Sequence, residues 1–255
     1  MRHIPNPRSW RPGAVWKAPV FLTLTVGLTV SGFTSVAASS QSGALHRPES
    51  PEWIVDIGES TLAVITFRGG VAGRLAHDHL IHAGDLEAEF HFDPQEPEGA
   101  RFAGSLKVED LVVDDLDRMA RAQPVLQEFD LLPREFGDVG DEGRADVRTE
   151  MLAEGQLHAE AWPEIRFRSL EVEAAADDPD FPWRVHAALT VRGEERATWM
   201  RARWEADDGG KVRIQAAGEF HFTDFGIEPY RAFLGSVRNQ DRFVVFLDLT
   251  AHPRP

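Results

Sequence analysis

The chain has 255 residues, of which 42% are hydrophobic, and it contains no cysteine. This length fits one domain after removal of a leader, and the hydrophobic content is sufficient for a buried core. The absence of cysteine excludes a disulfide framework and thiolate chemistry. The formal net charge of −15 argues against nucleic-acid binding and against docking on anionic lipid by a basic patch.

Residues 1–38 have the parts of a secretory signal. Basic residues and no acidic residue precede an apolar stretch from Val20 to Val36, and small residues allow cleavage after Ala38. We therefore expect an exported, periplasmic protein without stable membrane insertion after signal cleavage, in which residues 39–50 form a flexible mature N-terminus. An uncleaved membrane anchor is the alternative, although the apolar stretch is shorter than the about 20 residues that a span needs.

Strand patterns occupy the next part of the chain. Residues 52–69 predict a hairpin that turns at Gly58-Glu59, and residues 74–94 predict two strands with a break near Ala83-Gly84. Residues 100–113 continue the pattern. Alternation with a period of two places every second side chain on one face of a sheet, and its repetition at short spacing is typical of an all-β barrel or sandwich.

Residues 114–161 lose this alternation and predict a helical insertion. Asp114 or Asp115 is a suitable cap for a first helix that runs to about Ala122, before Pro124 interrupts it. A second helix is expected from about Glu142 to Ala153. Two roles stay open for the insertion: packing over one end of a barrel, or a lid over the mouth of a ligand cavity.

The clearest alternation lies between Trp162 and Ile227, where one face of each predicted strand is apolar and the other is polar. This is the antiparallel pattern. Residues 230–242 are expected to form a loop, and residues 242–251 to form the strand that closes the sheet. The sequence thus predicts an all-β, antiparallel barrel of about eight strands.

Three short motifs follow one another in this region. They are WPEIRFRS at 162–169, LTVRG at 189–193 and DFGI at 224–227. Their order and spacing resemble the YceI family of bacterial periplasmic proteins, from about Trp53 to Ala251. The resemblance implies a lipocalin-like barrel domain, placed here at residues 51–252, that binds a long isoprenoid or another amphiphilic lipid.

Inward-facing apolar side chains are the candidate ligand-binding residues. In such a barrel they either fill the interior or line a cavity for one ligand. Small residues on the same faces favour a cavity, because a filled interior would favour larger side chains; these are Gly104, Ala187, Ala216 and Gly218. The candidates are Phe90, Phe92, Phe102, Leu106, Phe167, Leu189, Val191, Ala216, Gly218, Phe220, Phe222 and Phe243.

A histidine cluster lies near the start of one predicted strand. His77 and His79 share a face, whereas Asp78 and His82 point to the other. His-x-His pairs occur in some metal sites, but two imidazoles are a poor site without a third ligand from another strand. A polar patch at the barrel mouth is the simpler interpretation, and metal binding is the alternative.

The usual nucleophile and phosphate-binding motifs are absent from the sequence, and acidic residues are too numerous for a catalytic pair to be inferred. We therefore expect a non-enzymatic lipid-binding protein that holds a polyisoprenoid or an isoprenoid quinone, with no cofactor besides that lipid. Two alternatives remain: a metal-binding protein or metal-dependent enzyme that uses His77 and His79, and an acidic periplasmic interaction protein.

Overall fold

The computed structural model describes residues 53–254 apart from residue 208, without the side chains of Leu75 and Phe233. The predicted signal and the predicted mature N-terminus lie outside the described residues. In the described range, neither of the α-helices has the length and hydropathy needed to cross a membrane.

Twelve strands and two α-helices make up the described range. The strands are β1 (Trp53–Val55), β2 (Thr61–Gly69), β3 (His79–Ala83), β4 (Glu87–His91), β5 (Arg101–Lys107), β6 (Leu111–Val113), β7 (Glu164–Ala174), β8 (Trp183–Val191), β9 (Glu194–Ala206), β10 (Val212–His221), β11 (Arg231–Ala232) and β12 (Val237–Pro253). The helices, α1 (Leu116–Glu128) and α2 (Gly140–Leu152), lie between β6 and β7. The strand number exceeds the expected eight partly because β1, β6 and β11 have only two or three residues each.

All these strands belong to one antiparallel sheet. Its hydrogen-bonded order is β4-β5-β7-β8-β9-β10-β12-β2-β3-β6, and β1 and β11 pair with β12. The indole Nε1 of Trp53 donates a hydrogen bond of 2.6 Å to the carbonyl oxygen of Phe92, which joins β1 to the end of β4 across the curl of the sheet. The predicted fold class, an all-β antiparallel barrel, is therefore confirmed.

Two predictions about individual strands are wrong. β1 and β2 do not form a hairpin, because both pair with the same side of β12: β1 with residues 251–253 and β2 with residues 238–248. They are two segments of one interrupted strand. The expected loop at 230–242 contains β11 and the start of β12, and a register shift between Asn239 and Phe243 breaks the alternation that would have revealed β12 there.

The sheet is buried on both faces around β2 and β12. Phe243 and Val245 belong to the inner core, whereas Val244 and Phe246 belong to a second core on the outer face. Helix α1 covers this outer face with the side chains of Met119, Ala122, Val125 and Leu126. The first helix of the insertion is therefore packed on the side of the barrel and does not cover an end of it.

Helix α1 begins as expected and ends later. The side chain of Asp115 accepts a hydrogen bond of 2.8 Å from the backbone nitrogen of Arg118, so Asp115 is the N-cap. Pro124 lies inside the helix, which continues to Glu128. An interior proline costs about 3 kcal/mol, and burial of Val125 and Leu126 offsets this, since each large apolar side chain contributes about 1.5–3 kcal/mol.

Candidate ligand-binding site

The barrel contains a cavity of about 540 Å³. Inward side chains of β2, β3, β5, β7, β8 and β12 form its wall, and Val147 and Met151 of α2 complete it. Most of the lining side chains are aliphatic or aromatic. A volume of this size lies within the range of pockets that hold one small ligand, about 300–1,000 Å³.

Half of the predicted ligand-binding residues line this cavity. They are Leu106, Phe167, Leu189, Val191, Phe222 and Phe243. The ring of Phe222 lies just beyond the end of β10 and packs 4.8 Å from the ring of Phe243, measured between centroids. Six residues chosen by alternation therefore lie around one cavity.

Four other predicted residues surround a much smaller pocket, of about 80 Å³, toward the opposite end of the barrel; they are Phe90, Phe92, Phe102 and Ala216. This end is filled by aromatic side chains. The ring centroids of Phe90 and Phe92 lie 5.7 Å apart, and those of Phe92 and Trp204 lie 5.2 Å apart. Aromatic packing thus closes the barrel here and limits the space for a ligand.

Gly218 and Phe220 line neither pocket. A Cβ atom at Gly218 would lie 2.5 Å from Cγ of Met200, so glycine permits the close approach of that side chain. Phe220 points inward and stacks on Phe243 at 5.9 Å between centroids. Ligand binding by any of the twelve candidate residues stays a prediction.

Helix α2 contributes to the cavity wall, although none of its residues was among the candidate ligand-binding residues. Val147 and Met151, four residues apart, face the cavity, and Asp146 and Glu150 lie beside them on the same side of the helix. The i, i+4 spacing of these two apolar residues could have indicated which side of α2 faces the cavity. This signal is weak because most of the other residues of the helix are polar. Of the two helices, only α2 has residues that line the cavity, which is the position that a lid would need.

The histidine cluster lies at the polar end of the cavity. His77 and His79 line it, together with Tyr230 and Asn239. Nδ1 of His79 lies 2.7 Å from Oδ2 of Asp114, and Oδ1 of Asp114 accepts a hydrogen bond of 2.9 Å from the backbone nitrogen of Leu80. The buried carboxylate of Asp114 therefore orients the ring of His79 and leaves Nε2 available to a ligand.

Asp78 and His82 do not line the cavity, in agreement with the predicted alternation. Oδ1 of Asp78 accepts a hydrogen bond of 2.8 Å from the backbone nitrogen of Arg68. Nδ1 of His82 lies 2.8 Å from the carbonyl oxygen of Ala83, and Nε2 is buried without a partner among the described residues. Burial lowers the pKa of His82 below its usual value, so its neutral form is favoured.

The metal alternative lacks a complete ligand set in the described range. No group of three or more His, Cys, Asp or Glu side chains is placed there to hold a metal ion. His77 and His79 lie at the same end of the cavity, but one ring nitrogen of His79 is already bound to Asp114. The third ligand that such a site needs is thus not found in this part of the chain.

The family model of the YceI-like domain matches residues 53–251. The chain belongs to the YceI-like family. This agrees with the resemblance carried by the three sequence motifs. No curated protein matches the chain.

Three solved structures are similar to this chain. BcnA of Burkholderia cenocepacia has a TM-score of 0.53 and 12% identity, and the match covers 77% of this chain and 99% of that protein. A polyisoprenoid binding domain from Saccharophagus degradans has a TM-score of 0.47 and 9% identity, with 80% and 99% covered. The YceI protein of Campylobacter jejuni has a TM-score of 0.44 and 12% identity, with 69% and 85% covered. At these identities, the similarity to BcnA supports the shared fold alone.

Proposed function

We propose that this YceI-like protein is an exported lipid-binding protein that holds one long apolar chain, a polyisoprenoid or an isoprenoid quinone, in its cavity. The observation that carries the proposal is the cavity of about 540 Å³ with its largely apolar wall. Membership of the YceI-like family supports it. Export is supported by the leader pattern of residues 1–38.

Removal of the ligand's apolar surface from water supplies the binding energy. Each buried methylene contributes about 0.8 kcal/mol, so one five-carbon isoprene unit contributes about 4 kcal/mol before the costs of ordering the ligand. The inward side chains of Leu189, Val191 and Val245 offer only apolar contacts to such a chain. Tight binding therefore requires no ionic contact, and affinity should rise with tail length until the cavity is full.

The polar end of the cavity favours an uncharged head group. Among the described lining residues there is no lysine or arginine, whereas Asp146 and Glu150 are present. Arg68 lies on the same face of β2 as Thr66, but its Nη1 donates a hydrogen bond of 2.7 Å to the carbonyl oxygen of Ala76. An alcohol or quinone head beside His79 fits this arrangement better than a diphosphate does, because a diphosphate needs cationic partners.

Titration of delipidated protein with two ligands that share one tail tests the proposal. Geranylgeraniol should bind at least about tenfold more tightly than geranylgeranyl diphosphate, a difference of about 1.4 kcal/mol. Isothermal titration calorimetry measures both affinities. Tighter binding of the diphosphate would contradict the uncharged head group, and absence of binding by either ligand would contradict the lipid-binding function.

A further inference from the structure

Two neighbouring loops carry the most exposed large hydrophobic side chains of the described range. Val71 has 96% and Leu234 has 110% of its reference surface accessible, and the next such residue, Leu116, has 50%. Val71 lies in the segment 70–78 between β2 and β3, and Leu234 in the segment 233–236 between β11 and β12; we call these two segments the mouth loops. The backbone nitrogen of Ala72 donates a hydrogen bond of 2.9 Å to the carbonyl oxygen of Ser236, so the mouth loops lie side by side.

The exposure of Leu234 does not serve the fold. Its φ angle is +56°, in the left-handed region that favours glycine and asparagine. A leucine there has an unfavourable backbone conformation and gains no buried contact in return. Its side chain is therefore free to contact a surface outside the chain.

Three exposed arginines lie close to these two residues along the chain: Arg74 in the first mouth loop, and Arg231 and Arg238 beside the second. Arg231 and Arg238 are directly opposite each other in the β11–β12 ladder, a like-charge pair that disfavours pairing. Residues 67–77 and 229–240 contain no acidic residue, although the whole chain has a net charge of −15. These two segments therefore form a basic patch on a chain whose overall charge is acidic.

The mouth loops border the cavity. Ala76 and His77, at the end of the first loop, line it. Ala232 and Val237, on either side of the second loop, line it as well. The exposed apolar side chains are thus continuous with the wall of the ligand site.

We propose that the mouth loops dock the protein on the surface of a bilayer that contains anionic phospholipid. Val71 and Leu234 enter the interface, and Arg74, Arg231 and Arg238 contact the lipid phosphates. Docking in this orientation places the end of the cavity at the bilayer, where an apolar ligand passes between membrane and barrel without crossing bulk water. The ligand route rests on the proposed lipid-binding function, whereas the docking does not. Such a contact is peripheral and reversible.

Sedimentation with vesicles tests the docking. The protein should bind vesicles of phosphatidylcholine mixed with phosphatidylglycerol, bind pure phosphatidylcholine vesicles more weakly, and dissociate as salt is raised. Arg74→Glu/Arg231→Glu should reduce binding to the mixed vesicles at least about tenfold. The matched charge control is Arg101→Glu/Arg184→Glu, which should bind like the unmodified protein. Both residues lie near the starts of β5 and β8, at the end of the barrel that contains the small pocket.

The apolar contribution has its own variants. Val71→Ser/Leu234→Asn should also weaken binding at least about tenfold, and asparagine tolerates the left-handed conformation, so the melting temperature should be unchanged or higher. Leu116→Ser, at the first position of α1, is the matched control and should have no effect on binding. Docking is contradicted if the mixed vesicles are not bound, or if the mouth-loop variants bind as well as their controls.

The two proposals fail in distinguishable ways. If the protein sediments with mixed vesicles but holds no isoprenoid, the docking proposal is supported and the lipid-binding function is contradicted. If the protein holds an isoprenoid but does not bind the vesicles, the lipid-binding function is supported and the docking proposal is contradicted.

Discussion

Nδ1 of His79 lies 2.7 Å from Oδ2 of Asp114, and the carboxylate of Asp114 has no access to solvent. The same carboxylate accepts a hydrogen bond from the backbone nitrogen of Leu80. One buried group therefore joins the first residues of β3 to the connection between β6 and α1. It holds in place a side chain that lines the cavity, so the fold and the polar end of the site depend on the same residue.

Asp114→Ala should lower the free energy of unfolding by about 1–3 kcal/mol, because two hydrogen-bonding groups lose their partner. Asp114→Asn should cost less, since its carbonyl oxygen still accepts from Leu80 and asparagine tolerates the φ angle of +50° found here. Urea unfolding measures both changes. Equal losses in the two variants would show that the hydrogen bond to Leu80 contributes little.

The histidine pair should be dispensable for holding a lipid tail. His77→Ala/His79→Ala removes polar groups at one end of the cavity but leaves the apolar wall, so most of the bound lipid should remain. Organic extraction measures the lipid, and elemental analysis of the same samples measures metal. The exposed His91 provides the control variant His91→Ala. Loss of stoichiometric metal from the double variant alone would favour the metal alternative.

Enlarging residues in the two pockets should have opposite results. Val64 lines the large cavity, so Val64→Trp should place its indole in the ligand's space, keep the melting temperature nearly unchanged and abolish lipid binding. Ala216 lines the pocket of about 80 Å³, so Ala216→Trp should overpack it and cost about 1–3 kcal/mol of stability. Calorimetry and lipid extraction on both variants separate these effects. Strong destabilisation by Val64→Trp would indicate that the large cavity is not open in solution.

His82 should make the protein sensitive to mild acid. Burial and the nearby Arg118 and Arg121 lower its pKa, while its contact with Ala83 and the charge of Asp115 oppose this shift. The unfolded chain, in which the pKa is near 6.5, therefore binds a proton more readily than the folded protein does. The contribution of neutral His82 to the free energy of unfolding should be fully present above about pH 6.5. It should decrease as the pH falls below this value, by at most about 1.4 kcal/mol per pH unit.

Urea unfolding of the unmodified protein and His82→Gln between pH 7 and pH 5 measures this contribution. The slope of stability against pH should be smaller for His82→Gln than for the unmodified protein. His91→Gln, which changes an exposed histidine, should keep the original slope. An unchanged slope in His82→Gln would exclude His82 as the source of the acid sensitivity.

The sequence predicted the strands that have one apolar and one polar face. β8 and β10 lie where alternation placed them, and their inward residues face the inner core. Alternation did not predict which strands pair. β1 and β2 read as a hairpin because a turn joins them, whereas hydrogen bonding with β12, far along the chain, decides their position. Such long-range pairing leaves no local signal.

The sequence analysis also did not predict the second core on the outer face of the sheet. Runs such as Phe243–Leu247 are apolar at every position, which is typical of a strand buried on both faces. That signal pointed to a cover on the outer face, and α1 provides it. The division of the barrel interior into a cavity and a filled end depends on how aromatic rings from different strands pack together, which periodicity within single strands does not show.

Native mass spectrometry of protein purified from cells, before and after solvent extraction, tests whether the cavity holds an isoprenoid lipid. We expect one bound species per chain with the mass of an isoprenoid lipid, which is lost on extraction and restored when the extracted lipid is added back. Val64→Trp should lack this species. An unmodified protein that carries no lipid, and that takes up none when incubated with isoprenoid alcohols or quinones, would contradict the proposed function and leave only the fold.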